Sequence, residues 1–238
     1  ACSTIPPHSS NHLRISSSDK DRDFHYTGSN KYNFRSDPSR QSKLGNQKNV
    51  ICGAPTEKWK NEVQTLIQDE LDRYPAELWA KVGLDEVILC TGLMFQGQRR
   101  FLGPAVGLRK LFVETLDVRE DPGYLQYALH HELFHVFDRY QLGDEKMYED
   151  PSWQSLNAPA FHYGDGGDAA IERKDAGWKN RQGGAGFISL YSRSAVEEDK
   201  AEIFATGVTQ PNALIKQSGS DERLRAKANL IRDRLETM

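Results

Sequence analysis

Apolar residues are sparse and without period over residues 1 to about 50, where runs such as Ser16-Ser17-Ser18-Asp19-Lys20-Asp21-Arg22-Asp23 dominate. A segment that buries so little cannot offset its ordering entropy, which predicts an extended or disordered stretch over 1–50. Phe24, Tyr26, Tyr32 and Phe34 leave the alternative of an arm packed over the rest. From Val50 the pattern changes, and 51–238 reads as one folded domain. Thr56 caps a helix with Trp59, Val63, Leu66 and Ile67 spaced three or four apart. Pro75 opens a second short helix with Leu78, Trp79 and Val82, stopped by Gly83. Glu86 to Cys90 and Leu108 to Val118 read as strands. Asp121-Pro122 is a helix start, and the helix should run to about Tyr140, before Gly143. Residues 141–187 are rich in Gly, Asp and polar residues around Trp153, Phe161 and Trp178, and read as a long irregular segment with short elements. Phe187–Tyr191 reads as extended, Ala195–Thr206 as a helix, and Asp221–Met238 as a terminal helix. No internal repeat is present.

Composition narrows the classes. The chain has 238 residues, 37% hydrophobic and 10% aromatic, enough for a sizeable core. Lys+Arg 31 against Asp+Glu 34 gives a net charge of -3, which offers no electrostatic case for nucleic acid. No apolar run reaches the roughly 20 residues of a membrane span. Three cysteines exclude a disulfide-dense scaffold or a Cys-rich zinc module. Cys52 and Cys90 can pair in an oxidising compartment. Ala1 in place of Met and the adjacent Cys2, a candidate lipid anchor, favour a secreted or surface-anchored protein. The missing targeting signals would by themselves suggest the cytoplasm, but the start and Cys2 carry the expectation to export.

The chemistry concentrates on the 122–140 helix, which contains His130-His131-Glu132-Leu133-Phe134-His135. His131 and His135 are one turn apart on one face and can bind one metal ion, with Glu132 beside them to reach a water. His130 lies about 100° away and reads as structural. A catalytic zinc takes three protein ligands and an open position. Glu198 and Glu202 share a helical face downstream. Glu198 suits the third ligand, and Glu202 suits an acceptor for the ring N–H of a ligand His. Asp138, three after His135, is the rival. Three ligands from one straight helix would strain a tetrahedral site, so Asp138 reads as an outer partner. Tyr191 is a candidate donor to a developing oxyanion, with His162 and Tyr163 as alternatives. Gly164-Asp165-Gly166-Gly167-Asp168 offers either a flexible turn or a short Ca²⁺ loop that falls short of an EF-hand.

These residues resemble the gluzincin class of zinc metallopeptidases, in which HExxH is followed by a Glu ligand on a second helix. The segment Tyr191 to Phe204 is similar to the catalytic region of the anthrax lethal factor family. There a Tyr precedes the Glu ligand by seven residues and a second Glu follows it by four, as Tyr191, Glu198 and Glu202 do here. It is also similar to bacterial zinc-binding metallopeptidases with a Glu-Asp-x-Ala-Glu segment. The resemblance covers only the active helix and 187–206. It implies His131, His135 and Glu198 as ligands of one zinc ion, Glu132 as base and Tyr191 as transition-state donor.

The expectation is therefore an α+β, zincin-like fold: a small twisted sheet over the HExxH helix, with a mostly helical C-terminal part. The expected function is hydrolysis of peptide bonds in a protein or peptide substrate by an endopeptidase. The alternatives are hydrolysis of a non-peptide amide, or a zinc-site binding protein with little turnover. An intact Glu132 argues against the last.

Overall fold

A computed structural model describes residues 14–17, 42–44, 48–55, 57–95, 97–105, 109–115, 121–172 and 182–238. Among them are strands β1 Arg14–Ser17, β2 Ser42–Leu44 and β3 Lys48–Gly53, helices α1 Glu57–Leu71 and α2 Ala76–Val82, and strands β4 Glu86–Phe95, β5 Gln98–Arg99, β6 Leu102–Ala105 and β7 Lys110–Glu114. There follow helices α3 Pro122–Leu142, α4 Lys146–Glu149, α5 Pro151–Gln154, α6 Gly167–Glu172, α7 Val196–Thr209, α8 Pro211–Ser220 and α9 Glu222–Leu235. The expected roles of Cys2, Phe24, Tyr26, Tyr32, Phe34, Thr56, Leu108 and Trp178 lie outside the described residues, as does the Trp59 side chain. The chain is a mixed α+β protein that divides into two units: residues 1–99 with 105–115, and residues 100–104 with 116–238.

The first unit is organised by β4. Its first half, Glu86–Leu89, pairs in parallel with β1 on one side and with β7 on the other. Its second half pairs antiparallel with β3 and with β5. β2 adds outside β3. Val87, Leu89, Leu111 and Val113 are all fully buried, as expected for the two-sided burial of a parallel pair. The apolar run predicts a strand only to Cys90, but β4 continues to Phe95 through Gly92, which takes φ 68. A side chain would resist that conformation, and Gly admits it without cost. β7 is shorter than expected, and β1, β2 and the start of β3 fall within the polar first fifty residues. The expected boundary at 50 lies inside β3.

Cys52 of β3 and Cys90 of β4 form a disulfide across a sequence separation of 38. Closing a loop of that length contributes about 2–4 kcal/mol, chiefly by restricting the unfolded chain. It borders a cluster of Val50, Cys90, Leu93 and Phe112, where Phe95 meets the Phe112 ring edge-on. In α1, Val63 and Ile67 of the expected face are buried and Leu66 is half-buried, and Leu71, one turn after Ile67, is buried as well. α2 ends at Gly83, in the left-handed region, with its N–H on the Trp79 carbonyl.

In the second unit, α3 begins as the sequence predicts: Asp121 Oδ1 accepts the Tyr124 N–H at 3.2 Å, and Pro122 follows the cap. α3 packs most extensively against α7. Phe204 of α7 sits among Phe134, Phe137 and the fully buried His130 of α3. His130 thus occupies the packing face. Residues 141–187 contain α4, α5 and α6. The expected extended segment Phe187–Tyr191 is instead a series of bends leading into a 3₁₀ turn, Tyr191–Arg193. Local hydroxyl bonds outcompete a strand there: Ser192 N–H donates to Ser189 Oγ at 3.1 Å, and Ser192 Oγ donates to the Ser189 carbonyl at 2.7 Å. The predicted terminal helix is α9, capped by Asp221.

No helix among the described residues is long and apolar enough to cross a membrane.

Candidate metal centre

Two helices bring the central residues together. Positions 131 and 135 of α3 are one turn apart, and their Nε2 atoms stand 3.2 Å from each other. Glu198, in the first turn of α7, places Oε2 2.9 Å from His131 Nε2 and 3.6 Å from His135 Nε2. One ligand atom from each of the three residues lies within 4.8 Å of the other two.

The surroundings fix this arrangement. His131 Nδ1 points away from the cluster to Glu202 Oε1, 3.3 Å distant. Glu202 is one turn after Glu198, so a single helical face supplies both carboxylates. Its other oxygen accepts the Ser189 hydroxyl at 2.5 Å. The relay Ser189–Glu202–His131 orients the ring and leaves Nε2 facing the cluster. The Tyr191 hydroxyl donates to the Glu198 carboxylate. Burial and the nearby carboxylates Glu198, Glu132 and Glu202 hold the Tyr191 phenol far above its ordinary value, so it stays protonated.

Electrostatics favour a cation here. Burial disfavours charge on His131, yet its bonds to Glu198 and Glu202 outweigh that and hold its pKa well above the ordinary value. Burial also acts against the Glu198 carboxylate, and its bonds to His131 and His135 overcome it, holding the group far below the usual carboxylate range. Two anionic side chains therefore draw positive charge to the ring between them, and a divalent ion at the Nε2 atoms would replace that proton. Glu132, the residue after His131, has its carboxyl raised chiefly by burial, against the lowering effect of His135 and His131.

The other expected residues fall elsewhere. Asp138 is fully buried and pairs with Lys200 Nζ at 2.5 Å. The Tyr163 hydroxyl is committed to Asp199 Oδ2 at 2.6 Å, where Trp153 Nε1 and Lys227 Nζ also converge at 2.9 and 2.6 Å. His162, the other alternative donor, is exposed. Of the three donor candidates, the structure brings Tyr191 to the cluster. Spacing did not point to Ser189, Lys200 or Gly167. The side-by-side ionisable pair Asp199-Lys200, followed by Ala201, Ile203, Phe204 and Ala205 with only Glu202 charged among them, is the available signal that α7 buries charge on more than one face.

No protein-family model matches the chain, and comparison with curated proteins and with solved structures gives no match either.

Proposed function

We propose that this chain is a zinc-dependent hydrolase of peptide bonds, with a zincin-like arrangement of α3 and α7 and a protein or peptide substrate. The observation that carries the reading is the convergence of His131, His135 and Glu198 from two helices, with Glu132 adjacent. Two imidazole nitrogens and one carboxylate oxygen suit zinc and leave a fourth position for water or substrate. When bound, zinc would lower the pKa of a water toward roughly 7 and polarise the scissile carbonyl.

The chain's own residues supply the rest. Glu132 takes the proton from the attacking water and returns it to the leaving amine as the C–N bond breaks. Its raised carboxyl pKa brings it closer to the pH at which it can do both. Tyr191 keeps its proton and can turn from Glu198 to a developing oxyanion. Glu202 and Ser189 hold His131 in the tautomer whose Nε2 faces the metal. The Cys52–Cys90 disulfide supports an oxidising compartment, in keeping with a secreted or surface-anchored protein.

Metal analysis and cleavage of a peptide library, with and without chelator, test this reading. The expected result is one zinc per chain and cleavage abolished by the chelator. Glu198→Ala should weaken zinc strongly, and Asp138→Ala should weaken it less. Undiminished zinc in Glu198→Ala would overturn the ligand set. Cleavage indifferent to the chelator would overturn the mechanism.

A further inference from the structure

The Gly-Asp-Gly-Gly-Asp run at 164–168 borders the metal centre. The backbone N–H groups of Gly164 and Gly166 donate to the carbonyls of Arg193 and Ser194, both at 3.0 Å. These bonds lay the strip beside the turn that carries Tyr191. Asp168 pairs with Arg100. Between these anchors, Gly167 is buried against the cluster. A Cβ placed on it would lie 2.3 Å from Glu198 Oε1, 2.7 Å from the Tyr191 hydroxyl and 3.0 Å from Glu198 Cδ. Carbon and oxygen not bonded to each other approach no closer than about 3.3 Å in ordinary contacts.

We propose that Gly167 is a positioning residue of the metal centre: its bare Cα leaves Glu198 and Tyr191 the space to hold their places in the cluster. The inference rests on reading His131, His135 and Glu198 as ligands. The need for glycine here is spatial. Gly166 sits at φ +98, in the region that favours glycine, but Gly167 has no positive φ, and alanine would fit its backbone without strain.

A methyl group at 167 leaves two ways out. The strip can lift, which breaks the two backbone hydrogen bonds and the Arg100–Asp168 pair. Alternatively, the Glu198 carboxylate can swing away, which parts Oε2 from His131 and His135 and the carboxylate from the Tyr191 hydroxyl. The second route leaves the backbone hydrogen bonds intact and moves only the end of a side chain, and it removes the third ligand. The same geometry gives the glycine-rich run a role other than calcium binding: its backbone walls the cluster, and Asp168 is held by Arg100.

The test is zinc affinity of the full-length, chelator-stripped protein, titrated with Zn²⁺ against a competing chromophoric chelator. Gly167→Ala should bind zinc about 10–100-fold more weakly, the range typical when a partner that orients a ligand is lost. Gly219→Ala, where an added Cβ meets nothing within 4 Å, should match wild type. Wild-type affinity in Gly167→Ala overturns the proposal. A second measurement needs no metal. In the metal-free protein, Gly167→Ala should lower the melting temperature, and most of that loss should vanish in a Glu198→Ala background. An equal loss in both backgrounds shows that the collision is not with Glu198 and also overturns the proposal. If Gly167→Ala alone fails to fold, recovery of a folded double variant supports it, and failure of both variants opposes it. Should wild type itself take up no zinc, the metal reading falls, and the melting comparison still decides whether Gly167 makes room for Glu198.

Discussion

Glu132→Gln should lose turnover while keeping zinc and fold. The amide is nearly isosteric with the carboxylate and cannot accept a proton, so the attacking water keeps both of its protons. Losing a general base typically costs about 10²–10⁴ in rate. Zinc should remain at one per chain, because Glu132 is not among the three residues proposed as its ligands. The melting temperature should hold or rise slightly, since Glu132 is a desolvated carboxyl whose charged form burial disfavours. Peptide cleavage by wild type and variant, measured beside metal content, provides the check, and full activity in the variant would sink the mechanism. Tyr191→Phe should lose less, on the order of 10²–10³, the cost of one oxyanion donor. It should also loosen Glu198, because in this structure the hydroxyl binds that carboxylate.

The largest expected effect on stability comes from Lys200→Met. Lys200 has no exposed surface, and its ammonium meets Asp138 at 2.5 Å, the Met147 carbonyl at 2.9 Å and Asp150 at 3.2 Å. Removing the cation leaves Asp138 buried without its counter-charge. Breaking a buried pair in this way costs about 3–5 kcal/mol, a large part of the roughly 5–15 kcal/mol that holds a domain folded. Asp150 suffers less, because Arg234 binds it with two nitrogens at 2.6 and 3.0 Å. Adding Asp138→Leu to Lys200→Met should restore most of the loss, since an apolar pair removes the stranded charge. Denaturant unfolding of the two variants checks both statements. Equal stability of Lys200→Met and wild type would show that the pair contributes nothing.

The residues of the candidate metal centre were legible where helical spacing alone brings atoms together. His131 and His135, and likewise Glu198 and Glu202, are four apart and share a face whatever surrounds them. Asp121-Pro122 marked the start of α3 for an equally local reason. What long-range packing decides was not legible. Arg14–Ser17 and Ser42–Leu44 are polar, and they become strands because β4 and β3 offer them an edge. α8 has a proline at its first position but buries no residue, so its pattern carries little helical signal. Phe187–Tyr191 is apolar enough to read as extended, yet the Ser189 and Ser192 hydroxyls bend it. Ser189 and Gly167 reach the cluster only through tertiary placement, and nothing in their own neighbourhood of the chain announces it.

α7 has no wet side between Asp199 and Thr206, where every residue is buried. Its neighbour α8 buries none, and Ile215 is 68% exposed. The backbone amides of the two helices should therefore exchange with deuterated water on separate clocks. α8 opens through local fraying, and α7 opens only when the whole second unit does. Mass-spectrometric exchange should show α8 labelled early, with 199–206 among the last peptides to take up label. The helix that carries Glu198 thus belongs to the slowest-opening part of the unit, so thermal agitation short of unfolding should leave the Glu198 carboxylate in register with His131 and His135.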